Sequence, residues 1–249
     1  MFVGHGSPMN AIDKNEFSLA WEKIGSELPI PKAILCISAH WFVNDLAVTV
    51  MENPKTIYDF YGFPSELYEV KYPAPGSPKL AKETLQLLLD EKAKLDLEWG
   101  LDHGTWSVLC RMFPDATIPT YQLSINSEMP AKYHYEIGKK IKALRSKGVL
   151  IIGSGNIVHN LRLMKFDNVS YEWAQEFDDK TKRFIDSRDF ENLIEYSNLG
   201  KEALLSIPTP DHYFPLLYVL GSVSKDEEIK FFNEKMDLCS ISMRSLIIG

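Results

Sequence analysis

The sequence predicts an α/β fold: a single three-layer domain over residues 1–249, with a central mostly parallel or mixed sheet and helices on both faces. Three observations predict it. Short β-branched apolar runs alternate with segments of helical period. No linker-like or low-complexity stretch divides the chain, and no internal repeat is visible. A chain of 249 residues is also long enough to bury a substantial core.

The elements follow in order. Met1-Phe2-Val3 leaves only a stub of a strand, so either that strand is short or the natural chain begins upstream. Ser7 and Pro8 then read as a helix cap and first helical residue. Lys32–Ser38 (KAILCIS) reads as a buried strand and Leu46–Met51 (LAVTVM) as another. The segment from Asn53 to Pro78 is rich in proline and tyrosine and weakly periodic, the pattern of a lid or binding wall. Ser77-Pro78 opens a helix capped by Ser77, with Ala81, Leu85 and Leu88 at helical spacing. A strand lies within Ile118–Ile125. Pro130 opens the next helix; Tyr133, Ile137, Ile141 and Leu144 form its apolar stripe and Gly148 ends it. Val149–Ile152 is a strand running into a Gly153-Ser154-Gly155 turn. A helix over Tyr171–Ser187 and a last one near Phe214–Leu220 precede strands around Glu228–Phe232 and Ser240–Ile247.

Composition excludes several function classes. The net charge of -7 gives no nucleic-acid footprint. No apolar run reaches the roughly 18 residues of a membrane span, and the N-terminus reads without a signal peptide. Cys36, Cys110 and Cys239 form no C-x-x-C pair, and their odd number argues against a disulfide framework. A reducing cytoplasm is the expected location. There is no H-E-x-x-H zinc motif, no G-x-S-x-G elbow and no P-loop.

Five of the six histidines sit in turns marked by glycine or proline: His5, His40, His103, His159 and His212. Several directly follow an apolar run. Histidines at strand ends converge on one edge of a sheet, where open α/β proteins place their sites, and imidazole suits zinc, iron, copper and nickel. A histidine-lined metal centre is therefore expected. The sixth, His134, lies within a helix off its apolar stripe and reads as structural or solvent-facing. Taken singly, His40 reads as a half-buried core residue and His212 as a capping or surface one. Spacing alone leaves the chemistry of the site open.

Seven collinear motifs narrow it. They are G-H-G-S-P-M-N at Gly4–Asn10, S-A-H-W at Ser38–Trp41, E-N-P-K-T-I-Y-D-F-Y-G-F-P at Glu52–Pro64, Y-P-A-P-G-S-P at Tyr72–Pro78, L-D-H-G-T-W at Leu101–Trp106, G-S-G-N-I-V-H-N-L at Gly153–Leu161 and P-T-P-D-H-Y-F-P-L-L at Pro208–Leu217. In order and coverage they resemble the class III extradiol ring-cleaving dioxygenases, specifically the DOPA 4,5-dioxygenase-like branch. The resemblance implies His5 and His40 as metal ligands, with His212 a third and His159 a fourth ligand or an immediate neighbour. It implies His103, with His159, as the acid/base group. Asn10, Trp41 and Tyr213 fall within the same motifs and are assigned to the substrate. Tyr58, Phe60, Tyr61, Phe63 and Trp106 are further candidates for an aromatic wall. The implied cofactor is Fe(II), with Zn(II) a competitor in isolated protein. The implied partners are a small catechol and O2, opened to a muconic semialdehyde. Two other readings compete: a zinc hydrolase, against which no well-placed glutamate base is seen, and a non-enzymatic binding protein with a vestigial site, against which all five histidines stand.

Overall fold

A computed structural model describes residues 1–167 and 169–249. Its central sheet has six strands: β1 (Phe2–Gly4), β2 (Ala33–Ser38), β3 (Thr120–Gln122), β4 (Val149–Gly155), β5 (Ile229–Phe232) and β6 (Ser245–Ile248). Their spatial order is β3-β2-β4-β1-β6-β5. The first four run parallel, and β6 and β5 are antiparallel additions beyond β1. The sheet is therefore mixed. The stub at the start is a true central strand, short but buried on both faces.

The six longest described helices are α1 (Glu16–Glu27), α2 (Pro78–Leu87), α3 (His103–Met112), α4 (Ala131–Ile141), α5 (Glu172–Asp186) and α6 (Phe214–Gly221). Strand side chains alternate between faces. Leu35 and Ile37 of β2 pack with Ile137, Phe177 and Leu217 in one core. Ile34 and Cys36 pack with Trp21, Trp106 and Leu109 in the other. Two cores separated by one sheet make three layers. No described helix is long and apolar enough to cross a membrane.

Three local readings are revised. The LAVTVM segment forms a strand only over Ala47–Thr49, and it pairs with Lys94–Asp96 rather than joining the central sheet. Ser77 makes no side-chain capping bond, so the start of α2 rests on Pro78. Gly153-Ser154-Gly155 is no turn; it is the end of β4. The paired positions Ile37↔Gly153, Ser38↔Ser154 and Gly4↔Gly155 bring the carboxyl ends of β1, β2 and β4 to one edge. That register positions the site.

Candidate metal centre

His5 is the first residue beyond β1, and its N–H donates to the Gly155 carbonyl at 3.1 Å. Ser7 follows and caps a single 3-10 turn over Pro8–Ala11. His40 leaves β2 two residues after Ser38. His103 is the first residue of α3, whose cap is Asp102, accepting from the Thr105 N–H at 3.1 Å. Gly104 is demanded by this packing: a Cβ there would lie 2.4 Å from Ser38 Oγ and 2.9 Å from His40 Cδ2. His212 is brought in where its carbonyl accepts from Asn156 N–H at 2.9 Å. A Cβ on Gly155 would sit 2.1 Å from that carbonyl oxygen, so only glycine ends β4 here. His159 is set by its N–H, which donates to Ser206 O at 2.9 Å.

All five histidines line one cavity of 490 Å³. Its remaining wall is largely apolar and includes Met9, Phe60, Phe63, Leu161, Met164 and Phe166. A larger charged groove of 610 Å³ along α5 contains no histidine and none of this chemistry.

Close polar contacts orient four of the five rings. His5 Nδ1 lies 3.0 Å from Ser154 Oγ. That hydroxyl gives its only proton to the Gly104 carbonyl at 2.5 Å, so it must accept from His5 Nδ1–H. His5 Nε2 is then a bare lone pair. Asp59 Oδ2 lies 3.2 Å from His40 Nδ1 and 2.9 Å from His103 Nδ1. One oxygen serves two rings and lines up squarely with neither. A carboxylate only accepts, so its approach to both Nδ1 atoms favours the tautomer with the proton on Nδ1 and Nε2 bare. Asp59 is itself anchored by the His103 N–H at 2.9 Å. His212 Nδ1 contacts Asp211 Oδ2 in the same way.

His5 Nε2 and His40 Nε2 face each other at 3.1 Å. Two bare lone pairs at that distance repel unless a cation lies between them. With metal–nitrogen bonds of about 2.1 Å, that separation corresponds to a ligand angle of about 95°, ordinary for a metal centre. Burial, then the mutual repulsion of the neighbouring histidines, holds His5 and His40 well below the usual histidine range, and burial followed by His212 does so for His159. Neutral imidazole is the form that ligates. Burial raises Asp59, but its contacts with His103 and His40 outweigh this and keep it ionised. Asp211 is likewise raised by burial and lowered further by His212. The donor set thus fits a transition-metal ion.

Two groupings share His5 and His40. Donor atoms of His5, His40 and His103 fall within 4.8 Å of one another. The rings of His5, His40 and His212 form a nearly equilateral triangle, with centroids 5.0, 5.2 and 5.2 Å apart. His103 crowds His40 instead, at 3.8 Å. His159 stacks flat on His212, 3.5 Å away and 9° from parallel. A ligated ion lies in the plane of its imidazole, so two stacked rings cannot both aim at one ion.

The residues assigned to substrate have other work. Asn10 donates to the His5 carbonyl at 3.1 Å and accepts from Asn15 Nδ2 at 2.7 Å, bracing the first turn. Trp41 is buried and stacks on Trp99 at 5.6 Å. Tyr213 is buried in the core, its hydroxyl donating to Leu193 O at 3.0 Å. None of the three is among the residues lining the cavity. Of the aromatic wall, Phe60 and Phe63 do line it, whereas Tyr58, Tyr61, Trp41, Trp106 and Tyr213 do not. Asp59, which the sequence marks only as one residue of the E-N-P-K-T-I-Y-D-F-Y-G-F-P motif, faces two of the five histidines. The acid beside His103 in sequence, Asp102, turns instead to Gln122 Nε2 at 2.7 Å.

The family described as the catalytic LigB subunit of aromatic ring-opening dioxygenase matches residues 2–243. The chain is 46% identical to the 4,5-DOPA dioxygenase extradiol of Escherichia coli (strain K12), covering 100% of this chain and 94% of that protein. It is 39% identical to the 4,5-DOPA dioxygenase extradiol of Beta vulgaris, covering 95% and 91%. The crystal structure of an uncharacterized protein from Escherichia coli K12 superposes with a TM-score of 0.87 at 43% identity, covering 98% and 97% of the two chains. The chain with this histidine-lined edge belongs to the LigB-like, class III extradiol dioxygenases.

Proposed function

We propose that this protein opens the ring of a catechol carrying a side chain, the class to which DOPA belongs, with O2 to give a muconic semialdehyde. The facing bare nitrogens of His5 and His40 carry the reading. His212 completes the ligand set, since its ring stands equally far from both and its Nδ1 is held by Asp211. Fe(II), when bound there, supplies open positions for catechol and dioxygen side by side and the redox step that a spin-paired ring lacks. Zn(II) would bind the same imidazoles more tightly.

His103 is the proton carrier in this reading. Asp59 keeps its Nδ1 protonated and leaves Nε2 free to take a catechol proton. The same nitrogen returns the proton when the leaving oxygen needs it, and Asp59 stabilises the charged ring between the two events. His159, stacked behind His212, is a neighbour to the ligands and a second acid/base group rather than a fourth ligand. Phe60 and Phe63 flank the ring of the substrate and keep water from it.

The test is anaerobic reconstitution with Fe(II), followed by oxygen uptake with L-DOPA and related catechols. Mass spectrometry is expected to find both oxygen atoms in a ring-opened semialdehyde or its cyclised form. Ester or amide hydrolysis without oxygen uptake overturns the reading in favour of a zinc hydrolase.

A further inference from the structure

We infer, resting on the ring-opening reading, that Ser154 is a positioning residue for the reaction: its hydroxyl sets the distance between the metal ligand His5 and the proton carrier His103. The end of β4 reads Gly153-Ser154-Gly155, so Ser154 supplies the one side chain this strand end offers. Side chains alternate along a strand, and Ser154 therefore shares the face of Ile152. Ile152 packs in the core that contains Trp106 and Leu109 of α3. Ser154 itself is fully buried there.

Three segments that carry histidines meet on this one residue. Its Oγ lies 3.0 Å from His5 Nδ1 and donates to the Gly104 carbonyl at 2.5 Å. Its own carbonyl accepts from the Ala39 N–H at 2.9 Å, one residue before His40. The first contact aims the His5 ring, whose Nε2 faces His40 Nε2 at 3.1 Å. The second ties down the first turn of α3, one residue beyond His103. A single hydroxyl thus bridges the ring that would hold the ion and the helix end that presents the acid/base group. Both must meet the same catechol, and a misplacement of about 1 Å is enough to cost about 10²-fold in rate.

The test is a double-mutant cycle of Ser154→Ala and His103→Ala with two readouts. Co(II) affinity is measured by titration followed in the visible spectrum. Values of kcat and KM come from oxygen uptake by Fe(II)-saturated protein with the catechol that the parent turns over fastest. Ser154→Ala is expected to weaken Co(II) binding about tenfold or more. At metal saturation its kcat should fall about 10²-fold, with a smaller change in KM. Removing His103 in that background is expected to cost at least about tenfold less than in the parent, because the ring is already out of place. Ser154→Cys keeps a weaker donor and acceptor at the same position, so it should fall between serine and alanine, and it carries the comparison if the alanine variant does not fold. An equal cost of His103→Ala in both backgrounds overturns the inference, as do unchanged Co(II) affinity and kcat in Ser154→Ala. If the parent consumes no oxygen with any catechol, it is ring opening that fails, and the Co(II) titration, which needs no turnover, still decides whether Ser154 aims His5.

Discussion

His134 spends both of its ring nitrogens inside the protein. Nδ1 meets the Tyr218 hydroxyl at 3.0 Å, Nε2 meets the Met129 carbonyl at 3.2 Å, and the ring stacks on Phe214 at 4.2 Å. His5 is buried as deeply, but only its Nδ1 is spent, and Nε2 looks at another bare nitrogen. The helical layer around α4 and α6 has satisfied its histidine completely. The edge formed by β1, β2 and β4 has left its histidines half satisfied, all on the same cavity. Burial does not separate structural from functional histidines here; the unspent nitrogen does.

Breaking the edge region should have the largest effect. His5→Ala is expected to lose bound metal and oxygen uptake together, read by elemental analysis beside an oxygen electrode in one preparation. A metal-replete, active variant would remove His5 from the ligand set. His103→Ala should retain most of its metal while turnover falls about 10²–10⁴-fold, the cost of a positioned acid/base. If it emerges folded but metal-free, His103 is a ligand and His159 becomes the leading acid/base group. Asp59→Asn sharpens the comparison within the site. Its amide can still accept a hydrogen bond, yet it no longer stabilises a charged ring, so metal affinity or activity should fall about 10–100-fold. Unchanged affinity and turnover would leave Asp59 a packing residue.

The smallest catalytic effect belongs to His134. Burial lowers its pKa to about 4, opposed only by the Met129 hydrogen bond. The fold therefore favours the neutral ring. As pH falls through about 6.5 the unfolded chain takes up a proton that the folded one refuses, and stability declines until about pH 4, below which both are protonated. That window is worth about 3 kcal/mol. His134→Gln should keep oxygen uptake near the parent value at pH 7.5 and flatten the loss of Tm between pH 6.5 and 4. An unchanged slope would mean that other groups account for it.

Much of this frame is legible in the sequence because unbroken apolar runs such as Ala33–Ser38 have little choice but a buried strand. Histidines just past such runs announce the edge. The glycines of Gly153-Ser154-Gly155 mislead, since glycine signals a turn when read locally. Their cause is distant: a Cβ on Gly153 would lie 2.4 Å from the Pro215 carbonyl, so the start of α6 presses on the strand. Asn10, Trp41 and Tyr213 mislead for a related reason. Neighbours in a motif point different ways, and adjacency to a histidine does not put a side chain in its cavity. Asp59 carries no local mark at all. It lies 44 residues from the His103 N–H it accepts, a relation only the folded chain creates.

The three residues of β1 have a consequence for how the protein matures. Gly4 donates its N–H to Ser245 Oγ at 3.0 Å, across 241 residues of chain, and β1 pairs on its other side with β4. Closing so long a loop is slow, and such contacts are made late. The strand that leads to His5 is therefore complete only once the Ser245–Ile248 strand has docked beside it. Nascent chains and partly folded forms should have only weak purchase on the ion. Metal uptake is then expected to follow docking of that strand, and an ion held by His5, His40 and His212 would tie together three segments far apart in the chain.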